Sequence, residues 1–196
     1  LSTIIGTIVG LFNVSKSKPL QFIANIYIDI VRGTPLLVQV FIMYYGLTQV
    51  LQFQWPAIGG FTSAFVAGVV TLSFNAGAYM AEIIRGGIES VDKGQMEAAR
   101  SLGMSYAKSM QKIILPQAFR TMLPSIINQF IISLKDTSLV SVIGPRELTQ
   151  NGKIIAANSA SMVMPIWICV ALFYLVVCTI LSRIAKYVER RVSYGK

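Results

Sequence analysis

Three long stretches of this chain carry no charged residue: between Arg32 and Glu82, between Arg120 and Lys135, and between Lys153 and Arg183. A helix needs roughly 20 apolar residues to cross a hydrocarbon core about 30 Å thick. The first gap is long enough for two crossings and the third for one. The second is shorter, but apolar residues precede it from Ile113 onward. Backbone polar groups in lipid must be satisfied within the protein, so the segments are read as helices. The expectation is an all-α integral membrane protein.

Composition agrees. Of 196 residues, 54% are hydrophobic and 13% charged, against about a quarter charged in soluble domains. The net charge is +9. In a soluble protein that balance would point to nucleic acid. Here Lys and Arg gather at span ends, without a basic patch interleaved with aromatics, so they read as topology signals. With no histidine in the chain, the commonest metal ligand and acid–base group is missing, and no metal or catalytic site is expected. Cys169 and Cys178 fall nine residues apart in one apolar segment. On a helix that spacing puts them on opposite faces, as packing or lipid-facing residues.

Taken in order, spans are expected at about 1–13, 36–51, 61–84, 113–134 and 159–181. The first is too short to cross alone and is expected to begin upstream of Leu1. Residues 20–32 read as an interfacial helix entering the second span, with Asp29 and Arg32 as a helical i,i+3 ion pair. Gly33-Thr34-Pro35 should break that helix. Residues 52–60, with Trp55, suit an interfacial loop, and 144–153 read as irregular. Glu82 and Arg85 are expected to pair near the end of the third span. The Lys/Arg-rich segments 15–18, 85–112 and the tail from 183 fall on one side, the cytoplasm, which leaves the N-terminus outside.

One polar segment interrupts the pattern, at 93–112. It reads Glu97-Ala98-Ala99, three residues, Gly103, nine residues, then Ile113-x-Leu115-Pro116. Glu and Ala are strong helix formers, and Gly103 permits a sharp turn after them. The chain has no G-x4-G-K-S/T phosphate loop. Gly152-Lys153 and Gly195-Lys196 lack its other residues, so it does not bind ATP by that route.

At every fixed position the segment resembles the E-A-A loop of ABC-importer permeases. Arg32-Gly33-Thr34-Pro35-Leu36-Leu37-Val38-Gln39, the run from Asn75 to Ile88, and Leu134-Lys135-Asp136-Thr137-Ser138-Leu139 are similar to permeases for polar amino acids. The resemblance covers nearly the whole chain and implies a single five-span type I importer permease domain over 1–196. It implies a coupling helix at Glu97, Ala98, Ala99 and Gly103 that docks into ATPase subunits, two per complex. Those partners would bind the ATP and magnesium. It also implies a second permease copy, identical or similar, and an external amino-acid-binding protein, either separate or fused upstream. The expected location is a bacterial cell membrane.

Polar side chains deep in a bilayer tend to line cavities. Asn75, Asn128, Gln129 and Ser133 are the candidates for substrate contact, and the amides, which donate and accept, suit a zwitterion. At 1.5 Å per residue, Gln129 lies about 24 Å along a helix from Ile113, which allows it to share a depth with Asn75. A neutral Gln129 favours glutamine, with glutamate or asparagine next. Lys135, Asp136, Glu82 and Arg85 are assigned to structure or gating. Pro116 and Pro124 interrupt the fourth span and free backbone carbonyls. The competing readings are an ion-coupled secondary transporter or channel, a permease for another small solute, and a non-transporting scaffold.

Overall fold

A computed structural model describes residues 1–193. The chain forms helices α1 (Ser2–Asn13), α2 (Lys18–Gly33), α3 (Leu36–Val50) and α4 (Ser63–Glu89). These are followed by α5 (Lys93–Ser101), α6 (Leu115–Asp136), α7 (Leu148–Ala157) and α8 (Val163–Ser193). Among the described residues there is no strand, only an isolated bridge between Ile58 and Phe61. Three continuous helical stretches are long and apolar enough to cross a membrane: Ser63–Glu89, Tyr106–Ile143 and Val163–Arg190. The pair α2–α3 would make a fourth if counted as one bent span.

Helix α4 is the axis of the bundle, with α1, α2, α3 and α6 packed on it. Small residues set the closest of these approaches. A Cβ on Gly6 of α1 would lie 2.5 Å from Met80 Cβ, and one on Gly77 of α4 would lie 2.8 Å from Ile5 Cγ2. Two apolar cores sit along α4. Met80, Ile84 and Ile88 pack with Ile114, Ala118 and Met122 at one end, and Ala64 and Ala67 pack with Val40, Val140 and Ile143 at the other. Helix α8 leaves most of its apolar surface exposed, including Leu172, Phe173 and Leu175. Cys169 is exposed and Cys178 half-exposed on it, both unbridged.

The structure departs from the sequence reading in four places. Pro116 and Pro124 do not interrupt the fourth span: α6 opens at Pro116, where no N–H is needed, and runs unbroken through Pro124. At Gly33-Thr34-Pro35 the helix does break, but α2 is not merely interfacial. It buries Ala24 and Ile28, and Tyr27 donates to the carbonyl of Phe74 at 2.6 Å. Arg32 does not pair with Asp29; its carboxylate partner is Glu82 on α4, at 3.6 Å. Nor is 144–153 irregular throughout. A 3-10 helix runs Thr137–Ile143 and ends at Gly144, whose φ of +100° suits a residue without a Cβ. Helix α7 then starts because Glu147 accepts from the backbone N–H of Thr149 and Gln150, at 2.7 and 2.6 Å.

Candidate functional site

The broken joint between α2 and α3 organises the site. The chain bends there by 104°, which leaves carbonyls without helical partners. Gln39, one turn into α3, supplies them. Its Nε2 donates to the carbonyl of Val31 at 2.7 Å, to Thr34 Oγ1 at 2.8 Å and to the Thr34 carbonyl at 3.1 Å. Its Oε1 accepts from Asn75 Nδ2 at 2.9 Å. Asn75 is thereby held in one rotamer at the middle of α4, and it is buried.

Opposite Asn75, α6 contributes Gln129, also buried, whose Nε2 reaches Ser133 Oγ at 3.5 Å. Asn75 and Gln129 line one cleft of about 520 Å³, with Arg32, Thr34, Tyr79 and Asp136. A second cleft of about 520 Å³ continues from it and is lined by Glu82, Pro124, Ser125 and Asn128. The two share Arg32, Tyr79 and Gln129. The substrate-contact candidates are therefore brought together: Asn75 and Gln129 in the first cleft, Asn128 in the second, and Ser133 beside Gln129. Asp136 joins the first cleft, whereas Lys135 is exposed and lines neither. Pro124 borders the second cleft, and having no N–H it leaves the carbonyl one turn earlier without its helical partner.

Glu82 and Arg85 form the expected pair, with Arg85 Nη2 to Glu82 Oε1 at 2.6 Å and Arg85 Nε to Oε2 at 3.1 Å. Arg85 also bonds Glu89 one turn on. Arg32, Tyr79 and Gln39 were not among the sequence candidates. For Gln39 a signal existed, since it is a lone amide within the apolar run Leu36–Phe41.

The coupling segment lies at the far end of α6. Asp92 caps α5 by accepting from Gly94 N–H at 2.7 Å. Glu97 and Ala98 are exposed, while Ala99 is buried against this chain's own bundle. Gly103 has φ +81°, and Met104 N–H reaches the Ala99 carbonyl at 3.1 Å. This is the glycine-ended helix stop, in which a left-handed residue turns the chain sharply. It pushes Leu102 out to 85% exposure. One helical turn, Tyr106–Ser109, and a π-helical turn, Met110–Ile114, then lead into α6. Pro116 sits in the first turn of α6, where a missing N–H is tolerated. Met96 and Met110 pack on the core formed by Ile88 and Ile114, which ties α5 to α4 and α6.

Residues 2–194 match the family described as binding-protein-dependent transport system inner membrane component. The chain is 43% identical over 191 residues to the glutamine transport system permease protein GlnP of Escherichia coli (strain K12), covering 97% of this chain and 84% of that protein. It is 40% identical over 190 residues to the L-cystine transport system permease protein TcyB of Bacillus subtilis (strain 168), covering 97% and 78%. Over 193 residues it is 40% identical to the arginine transport system permease protein ArtQ of the same organism, covering 98% and 84%. A solved structure of an amino acid ABC transporter superposes with a TM-score of 0.87 at 42% identity, covering 97% of this chain and 85% of that one. The MetNI methionine ABC transporter shares the fold, with a TM-score of 0.73 at 15% identity, covering 98% and 86%. This chain belongs to the family of binding-protein-dependent transport system inner membrane components, and its fold is that of a type I ABC importer permease.

Proposed function

We propose that this chain is the membrane-spanning permease subunit of an ATP-driven importer of polar amino acids. The observation that carries the reading is mechanical. One continuous helical stretch, Tyr106–Ile143, has the coupling segment at its start and Gln129 in its upper half. A push on exposed Glu97 and Ala98 is passed through Met96 and Met110 to α6, and so to the cleft walls. Well-packed cores transmit such displacements because they deform little. ATP and magnesium belong to partner ATPase subunits, which the coupling helix engages. A second permease copy completes the path, and an external binding protein delivers the substrate. The orientation that follows puts α5 and the C-terminal end of α8 in the cytoplasm of a bacterial cell.

Asn75, Gln129, Asn128 and Ser133 are the substrate-facing residues in this reading. The amides donate and accept, so they serve an amino acid's carboxylate, ammonium and side-chain amide alike. Glutamine is the favoured substrate, supported by the neutral Gln129 and by the similarity to the permease named for glutamine, while the relatives named for arginine and cystine mark the breadth of the class. Glu82–Arg85, Lys135, Asp136, Pro116 and Pro124 shape and gate the path.

The test is uptake of labelled glutamine by proteoliposomes holding the complete transporter, wild type or Glu97→Lys. The variant is expected to assemble with its permease partner by size-exclusion chromatography and to lose ATP-driven uptake. Uptake at the wild-type rate by Glu97→Lys, or uptake that proceeds without the ATPase subunits, would overturn the reading.

A further inference from the structure

Arg32 stands where the two clefts meet, since it lines both together with Tyr79 and Gln129. Its backbone is fixed: it lies in the last turn of α2, immediately before the joint that Gln39 holds. Its side chain is left with little to do. A guanidinium carries five N–H donors, yet among the described residues none accepts a hydrogen bond from Arg32. Its one ion-pair contact among the described residues, Nη1 to Glu82 Oε1, is 3.6 Å long, beyond the roughly 2.7–2.9 Å of a charge-assisted hydrogen bond. Glu82 itself is already satisfied by Arg85, which bonds both of its oxygens. The guanidinium carbon lies over the Tyr79 ring, 5.5 Å from its centroid. A cation–π contact of this kind uses the charge and satisfies none of the donors with an oxygen acceptor.

From this geometry we propose that Arg32 binds the α-carboxylate of the transported amino acid at the junction of the two clefts, with Glu82 as the weaker partner that holds it when the site is empty. The proposal rests on the importer reading and deepens it. A carboxylate is the group for which a free, planar guanidinium edge is matched, because two parallel N–H···O bonds form at once. Asn75 and Gln129 then face the remainder of the substrate within the same cleft. Because Glu82 touches Arg32 only loosely, the substrate displaces no strong bond on entry.

The experiment measures binding in the assembled permease–ATPase complex without binding protein, so that affinity reports the membrane site alone. The probe is whichever of labelled glutamine, arginine or cystine the wild-type transporter imports, competed with the same amino acid and with its carboxamide. Wild type should prefer the free carboxylate. Arg32→Gln should weaken binding about tenfold or more and abolish the preference over the carboxamide. Arg32→Lys should keep part of both. Glu82→Gln, which leaves Arg32 in place, should bind at least as tightly as wild type with the preference intact. The proposal is overturned if Arg32→Gln keeps the wild-type preference, or if Glu82→Gln loses binding as Arg32→Gln does. It is equally overturned if the wild-type complex imports substrate but binds none without the binding protein. Failure of the wild-type transporter to import any amino acid with ATP and binding protein present would instead sink the importer reading.

Discussion

Asn75 Nδ2 donates to Gln39 Oε1 at 2.9 Å, and the amide nitrogen of the same Gln39 closes the broken joint between α2 and α3. A residue that faces the cleft and the break in the backbone are thus held by one side chain. Gln39→Leu keeps the size and removes both functions. It leaves Asn75 Nδ2 and the carbonyl of Val31 without these partners at a part-buried joint, where each unsatisfied group costs about 1–3 kcal/mol. The variant is expected to unfold at a lower temperature in detergent and to lose most uptake. Wild-type thermal stability for Gln39→Leu would show that water or lipid headgroups satisfy the joint instead.

The glycines of α4 divide into two classes that a paired experiment separates. At Gly68 an added Cβ would lie 2.3 Å from Val140 Cγ1, within the second apolar core. At Gly86 it would meet nothing within 4 Å. Gly68→Ala should therefore destabilise by about 1–3 kcal/mol through overpacking. Gly86→Ala should stabilise by about 0.5–1 kcal/mol, because alanine restricts the unfolded chain and favours the helix. The double variant Gly68→Ala with Val140→Ala should recover part of the loss. Chemical denaturation in mixed micelles reads all three, and equal effects at Gly68 and Gly86 would contradict the close α4–Val140 packing.

What could be read in advance follows the range of the interactions. The helix at Lys93–Ser101 and its glycine stop are local: Asp92 caps two residues away, and Gly103 answers only to its own φ. Asn75 and Gln129 stood out because an amide in an apolar run is costly anywhere in a membrane. Arg32 did not, because its local partner Asp29 was available at i+3 spacing while the actual one, Glu82, is 50 residues on and a neighbour only through the α2–α4 packing. Helix α7 was missed for a related reason. Gly144, Pro145 and Gly152 suggest a loop, yet Gly152 is needed for close approach to Val170, 2.9 Å from where its Cβ would be, and Tyr174 on α8 donates to the capping Glu147 at 3.3 Å. Tertiary contacts there override the local preference.

Charge at position 129 offers the sharpest test of the substrate reading. Gln129 is 6% exposed, lines both clefts and holds Ser133 through its amide nitrogen. Gln129→Glu keeps the shape, replaces that donor with an acceptor, and adds a second carboxylate to a lining whose charged side chains are Arg32 and Asp136. Two carboxylates against the single guanidinium leave the lining negative, which favours a cationic substrate side chain. Arginine should then compete more strongly for uptake and glutamine less, with the ratio moving about tenfold, equivalent to about 1.4 kcal/mol. The measurement is competition by unlabelled amino acids in membrane vesicles loaded with ATP, with binding protein at saturating concentration so that delivery does not limit. The expected order is arginine above glutamine for Gln129→Glu and the reverse for wild type. An unchanged order would remove Gln129 from the substrate site and leave it as a buried link between α6 and its neighbours.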